Sequence, residues 1–140
     1  MRKNVDSEKL RRLANGLAEI TPDGYRSLHH WRPCIWVDGQ YIGFDVAAGY
    51  CWETSVPSGL QWFAKRNERK HAAAALIHDL MYERRMNREL ADYCFREILI
   101  DSGVSRVRAY VMWGAVRVGG HAFYASDTSR FWRQVRRLFD

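Results

Sequence analysis

One stretch of this chain leaves the backbone little choice. Residues 68–85 are rich in Ala and Leu and hold neither Gly nor Pro. That composition predicts a helix. Within it an apolar run, Ala72 to Ile77, leads directly into His78-Asp79. A run of that kind belongs in a core, so His78 enters the interior with it. His78 and Tyr82 are four apart and share a helix face. Asp79 stands about 100° round the wheel and meets an adjoining surface. A second helix begins near Asn87, an N-cap residue, and Gly103 can stop it. The short connection makes the two helices an antiparallel hairpin that turns near residue 85. His78 lies seven residues before that point and Asp92 seven after it. At about 1.5 Å per residue the two sit at similar depth, so the Asp92 carboxylate can reach the His78 ring.

Such a pair has a chemical logic. A neutral imidazole can take a proton from water when its other nitrogen is held by a carboxylate. Here His78 would be the base, Asp92 its orienter, and Tyr82 a hydrogen-bond partner of the Asp network. Asp79 would be left for a hard cation or a backbone amide, and the loop over residues 47–60 can offer carbonyl oxygens to a calcium ion. The bland alternative is open too. A buried His-Asp pair can simply tie two helices together, with Tyr82 closing the network.

Around this hairpin the chain reads as strands followed by helices. Ser7 to Asn15 forms a short helix capped by Ser7 and stopped by Gly16. Cys34–Val37 and Gln40–Val46 are β-rich runs separated by Asp38-Gly39, a strong type I′ hairpin signal. A third strand lies at Tyr25–Trp31, and residues 47–63 form an irregular loop. Trp36, Tyr41 and Phe44 include the sheet face that meets the helices. A third helix of the core spans Ser105–Val118, ended by Gly119-Gly120. The order argues an α+β fold: a small antiparallel, hairpin-based sheet packed on three to four helices. It reads as one domain over residues 1–140. Residues 1–24 are an N-terminal helix and lead-in, 25–63 sheet and loop, 68–120 the helical core, and 127–139 an amphipathic C-terminal helix.

The last segment places Arg130, Arg133, Arg136 and Arg137 at helical spacing, opposite a stripe of Phe131, Trp132, Val135, Leu138 and Phe139. Such a helix can lie on anionic lipid or bind phosphate or a protein, with Trp132 among its contacts. It can equally turn its apolar face to the domain. With 22 Lys and Arg against 16 Asp and Glu, the net charge of +6 biases the surface towards an anionic partner: a lipid surface, an acidic protein or nucleic acid. Ala109–Val116, uncharged and mostly apolar, spans only eight residues, whereas a membrane span needs about 20. No secretory-type apolar core opens the chain. These features predict a protein that stays in the cytoplasm where it is made. Cys34, Cys51 and Cys94 fit neither a disulfide framework nor a zinc knuckle and read as buried thiols. His29-His30 lacks a second ligand pair in sequence reach, which argues against metal there.

Two resemblances extend this reading. Gly49-Tyr50, Glu53, Ser55-Val56-Pro57, His78-Asp79 with Tyr82, Arg88 with Ala91-Asp92, and Ala109, Met112, Ala115-Val116-Arg117 and Gly120 follow a pattern. It resembles that of an uncharacterised family found mainly in tailed phages and prophage regions. Trp52-Glu53 stands where that family more often has Thr-Asp. The H-D-x-x-Y and A-D-x-x-F segments, here His78, Asp79, Tyr82, Asp92 and Phe95, also look like the two-helix core of phospholipase A2 enzymes. That likeness implies His78 as general base, Asp79 as calcium ligand and Asp92 as the residue orienting His78. The G-x-G calcium loop of those enzymes is not present.

Two functions follow as expectations. One is a phage- or prophage-encoded His-Asp hydrolase, calcium-assisted or not, acting on a lipid or other ester. The other is a non-enzymatic virion or tail component, or a binder of a host factor, in contact with phage structural proteins. In the second the His-Asp network is structural.

Overall fold

The computed structural model describes residues 3–54 and 68–125, with only the backbone helix described over 120–125. Its elements run β1 (Val5–Asp6), α1 (Glu8–Leu17), β2 (Ala18–Thr21), β3 (Gly24–Ser27), β4 (Cys34–Val37), β5 (Gln40–Gly43) and β6 (Cys51–Trp52). A 3-10 turn at Arg69–His71 then leads into α2 (Ala72–Glu83), α3 (Arg88–Asp101) and α4 (Arg106–Ala125). The fold is α+β, as the order of elements predicts. The sheet is not single: β1-β4-β5 and β2-β3-β6 form two three-stranded antiparallel sheets.

The β4–β5 hairpin pairs Val37 with Gln40. Its two turn residues, Asp38 at φ 52° and Gly39 at φ 81°, both occupy the left-handed region that a type I′ turn requires. Asp38 does more than turn. Its backbone N–H donates to Asn4 O, and its Oδ1 accepts from the Asn4 N–H, both at 2.8 Å. That exchange draws β1 onto β4.

The second sheet differs from the expectation. The strand placed at Tyr25–Trp31 is shorter, Gly24–Ser27, and Trp31 makes an isolated bridge with Val46 instead. Its partner β2 joins it through Pro22-Asp23, because Pro presets φ for a turn. β6 then crosses the stretch expected to be irregular. Gly24 is required where it stands: a Cβ there would lie 2.3 Å from the carbonyl oxygen of Trp52.

This sheet seats the start of α2. Trp52 Nε1 donates to Ala72 O at 2.9 Å. The Tyr25 hydroxyl bonds Thr54 Oγ1 at 3.1 Å and donates to Glu68 O. Tyr25 and Trp52 stack at 5.5 Å between ring centroids. Burial pushes the Tyr25 hydroxyl's pKa well up, beyond the relief from its Thr54 bond, so it stays a donor. The apolar run Ala72–Ile77 is buried throughout, and the core extends from it to Leu10, Ile35, Phe95, Ile98 and Leu99.

Helices α2 and α3 end the same way. Gly103 N–H bonds Ile100 O and Val104 N–H bonds Leu99 O, with Val104 and Leu99 both buried: a Schellman cap. Arg85 N–H to Tyr82 O and Met86 N–H to Met81 O repeat it at α2. The left-handed residue is Gly103 at φ 99° in one and Arg85 at φ 56° in the other. Asn87 then caps α3, its side chain accepting from Leu90 N–H at 2.9 Å.

Several local expectations need correction. Ser7 stands at the N-cap of α1 but caps no backbone N–H; its Oγ accepts from Arg11 Nε at 3.0 Å. Gly16 does not stop α1, which continues to Leu17. Gly119-Gly120 does not end α4, which runs on to Ala125. Glycine weakens a helix by about 1 kcal/mol relative to Ala but removes no hydrogen bond, as Pro would. Buried Ala109, Met112 and Val116 hold α4 regardless. Tyr41 is exposed and Trp36 only half-buried, leaving Phe44 as the buried member of that aromatic trio. Cys34 and Cys94 are buried free thiols, whereas Cys51 is half-buried. The C-terminal segment 127–139 lies outside the described residues. Among the described residues no helix is long and apolar enough to cross a membrane.

The Schellman cap yields a test. Gly103→Ala puts a Cβ on a left-handed residue and should lower the unfolding free energy by about 1 kcal/mol or somewhat more. Urea unfolding of the variant against wild type measures it.

Candidate functional site

The Schellman cap of α2 and the Asn87 N-cap of α3 set the turn of the hairpin, and its register brings His78 to Asp92. His78 Nε2 lies 2.8 Å from Asp92 Oδ1. The Tyr82 hydroxyl, one turn beyond His78, donates to the same oxygen at 2.5 Å. The other oxygen, Oδ2, accepts from Arg117 on α4 at 3.0 Å. One carboxylate thus collects donors from two helices while itself standing on a third.

The surroundings are apolar. Tyr82 and Phe95 place their rings 4.1 and 4.9 Å from the His78 ring, centroid to centroid. The Asp92 side chain is fully buried, that of His78 is 4% exposed, and Arg117 retains 30% exposure. Burial alone would push the Asp92 carboxyl up. The hydrogen bonds from His78 and Tyr82, the charge His78 carries when protonated, and the hydrogen bond from Arg117 outweigh it. Together they hold Asp92 below its ordinary 3.8. Asp92 is therefore a carboxylate near neutral pH and can only accept.

That fixes the roles of its partners. Both the Tyr82 hydroxyl and Nε2 of His78 must donate to it. The neutral imidazole therefore carries its proton on Nε2 and a lone pair on Nδ1. Among the described residues, no hydrogen-bond partner meets Nδ1.

Asp79 is buried beside His78 on α2. Among the described residues, no group of three or more His, Cys, Asp or Glu side chains stands close enough to hold a metal ion. Calcium takes roughly six to eight oxygens, and Asp79 brings one carboxylate. Residues 55–60 of the loop expected to supply carbonyls lie outside the described residues, as do Arg130, Trp132, Arg133, Arg136 and Arg137. His30 pairs with Asp45 on the surface at 2.5 Å, apart from this cluster.

The residue that sequence reasoning passed over is Arg117. A signal was there: Arg117 is the only charged residue between Ala109 and Gly120. A cation in an otherwise uncharged helical stretch that packs on a core seeks a carboxylate.

Fold and site together define an α+β protein built on a helical hairpin with a buried His-Asp-Tyr-Arg cluster. The chain belongs to the family described as Protein of unknown function (DUF1353), whose match covers residues 32–116 and so includes His78, Asp79, Tyr82 and Asp92. No curated protein and no solved structure matches the chain.

The geometry makes Tyr82 a measurable part of the cluster. Tyr82→Phe removes one hydrogen bond to a buried carboxylate and keeps the ring. It should lower the unfolding free energy by about 1.5–3 kcal/mol, read by thermal or urea unfolding near neutral pH.

Proposed function

We propose that this chain is a phage- or prophage-encoded hydrolase in which His78 activates water for attack on an ester, with lipid esters among its substrates. The observation that carries this reading is the way His78 is held. Asp92 takes Nε2 and leaves the Nδ1 lone pair as the base. In the step itself, Nδ1 takes a proton from water as the water oxygen bonds to the ester carbonyl carbon. Asp92 then stabilises the imidazolium that forms. The imidazolium returns the proton to the leaving alcohol as the ester C–O bond breaks. Tyr82 and Arg117 hold Asp92, and Phe95 and Tyr82 flank the ring. A calcium-assisted form would use Asp79 together with oxygens from outside the described residues. Net charge and the Arg cluster at 130–137 suit an anionic partner, a lipid surface first. The cytoplasm of the host is the site of synthesis in this reading.

A second reading has its own observation in support. The His78 ring is 4% exposed, the closed state that a packing role needs. The cluster would then clasp the helices of a virion or tail component, or of a protein that binds a host factor.

One experiment separates the two. Purified full-length protein is assayed on p-nitrophenyl esters and on phosphatidylglycerol vesicles, each with Ca²⁺ and with chelator, beside His78→Ala. The hydrolase reading predicts turnover that falls by about 10²–10⁴-fold in the folded variant. Turnover that survives His78→Ala, or no turnover in wild type together with an early-melting variant, overturns it and leaves the packing role.

A further inference from the structure

We propose that Arg117 is the positioning residue of the His78–Asp92 pair: by holding Oδ2 from α4 it fixes the carboxylate plane so that Oδ1 faces Nε2, and thereby sets which ring nitrogen is left bare. The inference rests on the hydrolase reading for its catalytic consequence, and on geometry alone for its structural one.

The torsion that turns an Asp carboxyl about its Cβ–Cγ bond is broad and weakly restricted. Two donors on Oδ1, from His78 and Tyr82, define one oxygen and leave the plane free to swing. A third donor on Oδ2, the Arg117 guanidinium at 3.0 Å, removes that freedom. It arrives from a different helix, so the plane is referred to α4 as well as to α2. The guanidinium is rigid and always charged, and its bond adds to those from His78 and Tyr82 that keep the carboxylate ionised and accepting. An accepting Oδ1 forces the His78 proton onto Nε2.

The groups in contact with the ring act consistently with this. Tyr82 and Phe95 pack against it, Asp92 accepts from it, and Asp79 is its neighbour along α2. Among the described side chains that bond Asp92, Arg117 alone is cationic at every working pH, and no hydrogen bond joins it to the His78 ring. It acts through Asp92, which is what makes it a positioning residue and not a catalytic one.

The test uses the full chain labelled with ¹⁵N-histidine, in wild type, Arg117→Gln and Arg117→Lys. Long-range ¹H–¹⁵N spectra report the tautomer of the neutral His78 ring. The proposal predicts a single Nε2–H tautomer in wild type, a mixture in folded Arg117→Gln, and return of the single form in Arg117→Lys. Ester turnover should fall by about 10- to 100-fold in kcat in Arg117→Gln with KM little changed, and Arg117→Lys should recover most of it. If Arg117→Gln only melts earlier while the folded protein keeps a pure Nε2–H ring and full kcat, Arg117 is structural and the proposal fails. Should Arg117→Gln fail to fold, Arg117→Lys decides. A pure Nε2–H ring there supports the proposal, and a mixture with kcat unchanged sinks it. Absence of turnover in wild type with the tautomer change intact would remove the hydrolase reading while leaving the positioning role standing.

Discussion

The structure hangs on one buried carboxylate. Asp92 sits on α3 with no exposed surface, and its two oxygens receive His78 and Tyr82 from α2 and Arg117 from α4. A bare carboxylate in that place would cost several kcal/mol. Every donor that offsets the cost also specifies geometry. His78 and Tyr82 fix the depth at which α2 meets α3, and Arg117 fixes where α4 crosses them. Apolar contacts alone, among Ala-rich α2 and the Ile, Leu and Phe of α3, would tolerate a slipped packing far more readily.

The rest of the fold serves to present α2 at the right height. The second sheet seizes its beginning through Trp52 on the Ala72 carbonyl and Tyr25 on the Glu68 carbonyl. Near its far end Tyr50 donates to the Glu83 carboxylate at about 3.1 Å. The first sheet meets the same end, where the Arg84 guanidinium lies 4.2 Å from the centre of the Phe44 ring. The Schellman cap of α2 and the Asn87 N-cap of α3 then turn the chain within Arg84–Asn87 so that α3 descends in register. A helix anchored at both ends holds its interior residues to narrow positions, which is the condition a proton-transferring imidazole needs.

Much of this was legible from residue order alone, and the reasons are local. Asp38-Gly39 dictates a turn because both residues take positive φ at little cost, and Asn87 and Gly103 mark helix ends through chemistry that sits in single residues. The pairing of His78 with Asp92 followed from equal distance to a short turn. What stayed hidden was set by contacts remote in sequence. β1 is two residues long and exists because Asp38 binds Asn4. The β2–β3 hairpin did carry a local mark, Pro22-Asp23-Gly24, that went unread. Gly119-Gly120 looked like a stop because glycine is a weak helix former, but nothing there breaks a backbone bond. Arg117 was visible as a lone charge, yet its partner lies 25 positions away. Nothing in the spacing of α3 and α4 told which carboxylate it would find.

Asp92 is ionised in the folded core and ties the three helices together in that form. The most direct measurement is the unfolding free energy of wild type and Asp92→Asn as a function of pH. A carboxyl held below its ordinary value contributes stability above the usual carboxylate range. That stability is lost as pH falls through the folded-state value. Wild type should exceed Asp92→Asn by about 3–5 kcal/mol near neutral pH, and the gap should narrow steadily below about pH 4. Two parallel curves, with the same gap at every pH, would mean that the charge of Asp92 does not hold the helices together.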